Sequence, residues 1–158
     1  MFEPHETHHA DRSTTPLHRA ALPWTILVVD ADDETRALYR QSFALSGCEV
    51  VEASDGREAL TKALVRPPAL VVTEIRLPFV DGCALCEILR RDRTTADVPI
   101  LVVTAESRSA HIERVRKAGA DAVLIKPTTP EQILAETQRL VTSAKDMRRQ
   151  VLGFSPKH

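Results

Sequence analysis

Glycine is scarce in this chain, five in 158 residues, and none sits where a nucleotide-binding loop needs it. No G-x-G-x-x-G follows an apolar run, and G-x-x-x-x-G-K-[ST] is absent. Both motifs use glycine to let backbone N–H groups approach a phosphate, so the common nucleotide cradles are excluded. Cysteine is also sparse: Cys48, Cys83 and Cys86. An odd, low number builds no disulfide framework. Cys83-x-x-Cys86 has redox or zinc spacing, but no second Cys or His pair lies nearby. Both sulfurs suit inward positions of a helix, where free cysteine packs as a small hydrophobe. No apolar stretch approaches the roughly 20 residues of a membrane helix, and the N-terminus lacks the apolar region of a secretory signal. A net charge of −1 supplies no field to attract nucleic acid or an anionic membrane. These absences predict a cytoplasmic protein that engages neither.

What is present reads as one ordinary domain. Hydrophobic residues make up 43% and charged residues 27%, enough for a single core. Residues 1–23 are polar and without period, carry His5, His8, His9 and His18, and predict a disordered tail with solvated histidines. From Trp24 a regular alternation begins. "TILVVD", "CEVVEAS", "ALVVTE", "VPILVVTA" and "DAVLIKP" are short apolar, β-branched runs, the signature of buried strands. Between and after them lie segments of helical spacing: "DETRALYRQSFALSG", "REALTKALVR", "GCALCEILRRD", "SRSAHIERVRKAGA" and "TPEQILAETQRLVTSAKDMRRQV". In the first of these Ala37, Leu38, Phe43 and Leu45 supply the apolar positions. In the last, Thr129 suits the N-cap and Pro130 the first helical position. Five β-α units of this length predict an α/β fold, a doubly wound parallel sheet covered on both faces with right-handed crossovers.

In such a sheet ligands gather at the carboxyl ends of the strands. Strand one ends at Asp30, with Asp32 and Asp33 just after; strand three ends at Glu74, strand four at Thr104 and strand five at Lys126. Clustered carboxylates suit a hard cation such as Mg²⁺. A cation, an ammonium and a hydroxyl together stabilise the oxygens of a transferring phosphoryl group, and a carboxylate can accept it as an acyl phosphate. The acidic "DADDETR" after strand one would repel a bound flavin phosphate.

At these residues a resemblance becomes specific. "ILVVD", "IRLPFVDG", "VPILVVTA" and "AGADAVLIKP" occur in the order and spacing of the receiver domain of two-component response regulators, which residues 24–143 resemble. The resemblance implies a flavodoxin-like (βα)5 fold with strand order 2-1-3-4-5, an Asp nucleophile, bound Mg²⁺ and a Thr/Ser–aromatic switch. Carried over by position, Asp30 matches the first acid of the family's pair, and Ala31 stands at the second. Glu74 stands at the phosphoacceptor Asp, with Thr104 at the switch hydroxyl and Lys126 at the lysine. Val123 stands where the switch aromatic belongs. Asp32 or Asp33 could make good the acid missing at Ala31 if the chain bends back there; with Asp32 the acidic pocket is complete, and Asp30 and Glu74 are its candidate metal ligands.

Glu74 is longer than Asp by about 1.5 Å, and a misplacement of about 1 Å can cost in-line attack about a hundredfold. A β-branched Val123 is too small and stiff for an aromatic swing. The expectation is a receiver not phosphorylated at the usual position, with at most weak Mg²⁺ binding and no other cofactor. Glu74 then either pairs with Lys126 and imitates the phosphorylated state, or is inert. The alternative is a competent single-domain regulator that takes a phosphoryl group from a histidine kinase with Mg²⁺. No enzymatic turnover is expected. After residue 143 only a helix extension and a short tail are expected, so output would be protein contact with a histidine kinase or a downstream effector. The resemblance implies a contact face of helix four, strand five and helix five, here with Arg108, His111, Arg114, Lys117 and Gln132, which also serves homodimers in the family.

Overall fold

The computed structural model describes residues 23–151. The tail expected over residues 1–23 therefore lies outside the described residues but for Pro23, as does the chain after Val151. Five strands, β1 (Thr25–Val29), β2 (Glu49–Ala53), β3 (Leu70–Thr73), β4 (Ile100–Thr104) and β5 (Ala122–Ile125), alternate with five helices. These are α1 (Asp33–Leu45), α2 (Gly56–Val65), α3 (Gly82–Arg91), α4 (Ser109–Ala118) and α5 (Pro130–Val151). All strands are parallel, in the order β2-β1-β3-β4-β5, the flavodoxin-like arrangement the resemblance implied.

Alternation along each strand sends successive side chains to opposite faces, and the core divides accordingly. Leu27, Val29, Val71, Ile100 and Val102 face α2, α3 and α4, meeting Ala59, Ala63, Leu85, Leu89 and Val115. Ile26, Val28, Leu70, Val72 and Val103 face α1 and α5, meeting Tyr39, Phe43, Ile133 and Leu140. The buried face of α1 differs from the one read off the sequence. Tyr39 and Phe43, one turn apart, are buried, whereas Leu38 and Leu45 are exposed. The i, i+4 pair sets the face, and the leucines fall beside it. Cys83 and Cys86 are both buried in α3, and burial pushes the Cys86 thiol up to about 12. Such a buried thiol packs as a small hydrophobe and carries little thiolate at neutral pH.

Helix starts follow from local chemistry. Asp32, Asp55 and Asp81 cap α1, α2 and α3, each carboxylate accepting a backbone N–H of the first turn. At α5 the Thr129 hydroxyl accepts from Gln132 N–H, and the Gln132 side chain accepts from Thr129 N–H, a reciprocal capping box.

The foot of the sheet is tied by Arg90, the next-to-last residue of α3. Its guanidinium donates to Gly119 O, Ala96 O and Val98 O and pairs with Asp121 Oδ2 at 2.7 Å. Asp121 in turn accepts from Ile100 N–H at 2.8 Å. Gly119 has φ +127°, and a Cβ there would lie 2.7 Å from Arg90 Cγ, so only glycine admits the guanidinium. One side chain thus sets the starts of β4 and β5, the strands whose far ends carry Thr104 and Lys126.

Arg90→Ala is expected to lower unfolding free energy by about 2–3 kcal/mol, because several acceptors lose a charged donor together. Urea unfolding at neutral pH measures it. Thr137 of α5 is fully buried and its hydroxyl has no hydrogen-bond partner among the described residues. Thr137→Val is expected to hold or raise stability in the same assay, since it removes an unsatisfied polar atom at nearly constant volume.

Candidate functional site

Three of the site side chains occupy the first position past a strand. Asp30 follows β1, Glu74 follows β3 and Lys126 follows β5. The backbone of each is still held by the neighbouring strand: Asp30 N–H donates to Ala53 O, Glu74 N–H to Val29 O and Lys126 N–H to Thr104 O. Registers such as Val29↔Thr73 and Thr104↔Ile125 bring these ends level. Gly82 opens α3 so close to this edge that a Cβ would lie 2.6 Å from Glu74 O.

The side chains converge on an ammonium. Lys126 Nζ lies 3.2 Å from Glu74 Oε2 and 3.4 Å from Asp30 Oδ2. Both acids are buried, and the lysine is partly so. Glu74 has two further contacts: Oε1 accepts from Ile75 N–H at 2.7 Å and Oε2 from Ala105 N–H at 3.4 Å. Burial opposes the Lys126 charge, but Asp30 and Glu74 outweigh it and raise its pKa above the ordinary 10.5. Asp30 Oδ1 accepts from Asp32 N–H, so the loop backbone supports the acid.

The remaining expected residues divide. Thr104 is fully buried at the end of β4, and its hydroxyl accepts from Glu106 N–H at 3.0 Å; it makes no hydrogen bond to Glu74. Asp32 does not join the carboxylate pair. Its side chain, exposed, accepts from Thr35 N–H and Thr35 Oγ, which together hold it below the usual carboxylate range. An N-cap and a pocket ligand require opposite orientations, and the helix wins. Val123 is half-buried in β5 and packs on the α2–α3–α4 side of the core. Of the face residues, Arg108 and His111 turn back onto Glu106, and Gln132 is spent on the cap of α5.

Mg²⁺ needs oxygen ligands in near-octahedral array. Only Asp30 and Glu74 bring carboxylates together, and both are engaged by Lys126. Position 31 is alanine, Asp32 caps α1, and no metal-competent group of three His, Cys, Asp or Glu side chains occurs among the described residues. The donors do not fit the ion as they stand.

Several residues at this edge escaped the sequence reading. Arg36 donates to Asp30 O at 2.7 Å while pairing with Asp33 and Glu52, clamping the loop after β1. Glu106, whose side chain is only 7% exposed, gathers Arg76, Arg108 and His111. Arg108 above all holds its carboxyl far below the ordinary range. Phe79, at φ +69° and exposed, lies 4.0 Å under the Arg57 guanidinium. Tyr39 lies near enough to Lys126, Asp30 and Glu74 for their charges to act on it, and burial raises its pKa. The i, i+4 spacing to Phe43 was the available signal for Tyr39; the Arg36 and Glu106 contacts had none.

The comparisons agree on the family. The model of the response regulator receiver domain matches residues 26–138. The response regulator MprA of Mycolicibacterium vanbaalenii is 42% identical over 122 residues, 76% of this chain and 51% of that protein. The alkaline phosphatase synthesis transcriptional regulatory protein PhoP of Bacillus subtilis is 34% identical over 116 residues, 73% and 48%. The chain spans about half the length of the curated relatives it matches. Among solved structures, a chemotaxis response regulator of Vibrio cholerae superposes with a TM-score of 0.71 at 28% identity, covering 75% of this chain and 99% of that one. A response regulator of Chloroflexus aurantiacus gives 0.73 at 30%, covering 77% and 99%.

Lys126 and Tyr39 both hold their protons more tightly folded than unfolded. Their contribution is complete below the unfolded pKa values, 10.5 and 10.0, and is lost as pH rises through the folded ones. Stability is therefore expected to fall from about pH 10 upward. Urea unfolding across that window should show a shallower decline for both Lys126→Met and Tyr39→Phe. An unchanged slope in both variants would exclude this origin.

Proposed function

This chain belongs to the response regulator receiver family of two-component signalling, and on that premise we propose that it works with its acceptor position permanently charged, without phosphorylation at Glu74. One observation carries the reading. Glu74 Oε2 already takes the Lys126 ammonium and the Ala105 N–H. In phosphoryl transfer a lysine and backbone donors stabilise the transferred oxygens; here a carboxylate of the chain uses them. Glu74 thereby imitates part of the phosphorylated state, and Val123 in place of an aromatic removes the large swing that would report a change of state.

Neither Asp30 nor Glu74 then serves as a Mg²⁺ ligand in the working protein. Asp30 neutralises Lys126, keeping the ammonium charged in a half-buried setting. Thr104 fixes the loop after β4 through Glu106 N–H. No turnover follows from such a site. Output is protein contact with a histidine kinase or a downstream effector, through the face of α4, β5 and α5, where Arg116 and Ile125 are exposed; Arg114 and Lys117, expected on that face, instead line the groove between α3 and α4. Both relatives are about twice as long as the matched segment, and the transcriptional regulation in the name of the second is not carried over to these residues. None of the described helices is long and apolar enough to cross a membrane.

An amide NMR titration with Mg²⁺ and then beryllofluoride, a phosphoryl mimic, tests the reading. Ala31→Asp with Glu74→Asp is the positive control. The native chain is expected to stay silent at Thr104 and Lys126 while the control responds. Shifts in the native chain at those residues would establish a phosphorylation-competent regulator instead.

A further inference from the structure

Arg76 and Glu106 occupy matching places on neighbouring strands. Each lies two residues beyond a site position, Arg76 after Glu74 and Glu106 after Thr104, and β3 pairs directly with β4. The loops that leave these strands therefore run side by side at the carboxyl edge. An ion pair joins them, Arg76 Nη2 to Glu106 Oε1 at 3.2 Å. On its other side the Glu106 carboxylate is tied to α4. Its Oε2 accepts from Arg108 N–H at 3.2 Å and from Arg108 Nε at 3.0 Å, and its Oε1 faces His111 Nδ1 at 3.2 Å. Arg108 opens α4 without a side-chain cap of its own, and Glu106 supplies the anion which that end of the helix favours.

Between these anchors lies Ala105, which donates to Glu74. Thr104 Oγ holds Glu106 N–H at 3.0 Å, so residues 104–106 form one short turn, and the direction of Ala105 N–H follows the position of Glu106. The Ala105 bond to Glu74 Oε2 is long, 3.4 Å, against an ordinary N–H···O distance of about 2.9–3.0 Å. It is the contact of Glu74 that depends most on support from outside. The Arg76 side chain is 74% exposed, and an ion pair with so wet a member contributes little to global stability. Its effect is local: it sets where the loop after β4 lies against the loop after β3.

We propose that Glu106 is a positioning residue for the Glu74–Lys126 pair and that Arg76 is the strap through which it acts. The strap draws the turn of residues 104–106 toward β3 and keeps Ala105 N–H on Glu74. The same carboxylate holds the first turn of α4, so the loop that completes the site and the helix that borders the contact face share one anchor. This role rests on the reading of Glu74 as a permanently charged acceptor position, since it gives that carboxylate its second donor.

Amide hydrogen exchange of the full chain, followed by NMR, tests this. Arg76→Met and Glu106→Gln are each expected to speed exchange at Ala105 about three- to tenfold, the range for one weak hydrogen bond lost. Amides of Leu27 and Val28 in β1 should stay as slow as in the native chain, and Arg76→Lys, which keeps the charge, should retain most of the protection. Arg76→Met is the stringent variant. Loss of a cation lowers the local hydroxide concentration and by itself slows exchange, so faster exchange at Ala105 reports a loosened turn. In a Glu74→Ala background the Arg76→Met effect should vanish, because the acceptor is gone. Faster exchange in Glu106→Gln with none in Arg76→Met overturns the proposal and leaves Glu106 a cap of α4. Equal acceleration at Ala105 and in β1, or an Arg76→Met effect that persists without Glu74, overturns it too. A native chain that responds to beryllofluoride yet loses Ala105 protection in Arg76→Met refutes the permanently charged reading and leaves the strap standing.

Discussion

One ammonium answers two buried carboxylates at the carboxyl edge of the sheet, and the rest of the site is arranged around that fact. Lys126 stands between Asp30 and Glu74, and either acid left alone there would bear the cost of burial uncompensated. The fold supplies the geometry through register. Parallel strands β1, β3 and β5 end at one level, and each delivers its charged residue one position beyond its last ladder pair. Arg90, at the opposite end of β4 and β5, fixes where those strands begin and so where Thr104 and Lys126 arrive.

Under the proposed reading, the length of the side chain at position 74 decides whether this scaffold holds a transferred group or an internal ion pair. An Asp at position 74 would be one methylene shorter and leave more room for a transferred group. The extra methylene of Glu74 carries the carboxylate to Lys126 and to Ala105 N–H. Ala31 removes a competing acid, and Asp32 is committed to α1 by two hydrogen bonds from Thr35. In the proposed reading each departure favours the internal ion pair over a divalent cation.

Much of this was legible in the sequence because it rests on short-range rules. Strand-helix alternation, the acids that end the first and third apolar runs and the cap at Thr129 are local patterns. Strand order came from family likeness and not from periodicity. The face of α1 was misjudged because Leu38 and Leu45 are apolar but fall beside the line set by Tyr39 and Phe43. The Arg36 clamp, the Glu106 cluster and the four partners of Arg90 depend on flexible side chains choosing among neighbours as near as Arg108 to Glu106 and as far as Arg36 to Glu52, and composition carries no trace of such choices. The position of Asp32 was open in the sequence because a cap and a pocket ligand are both carboxylates after a strand; only the loop's direction distinguishes them.

The central claim is that Glu74 and Lys126 act as a coupled pair. A double-mutant cycle with Glu74→Gln, Lys126→Met and the double variant, followed by urea unfolding at neutral pH, measures that coupling directly. The account predicts a favourable interaction on the order of 1–3 kcal/mol, as for contacting groups in one ion-pair network. Additive effects of the two substitutions, with no interaction energy, would contradict it and leave Glu74 a tolerated acid with no role in holding the site.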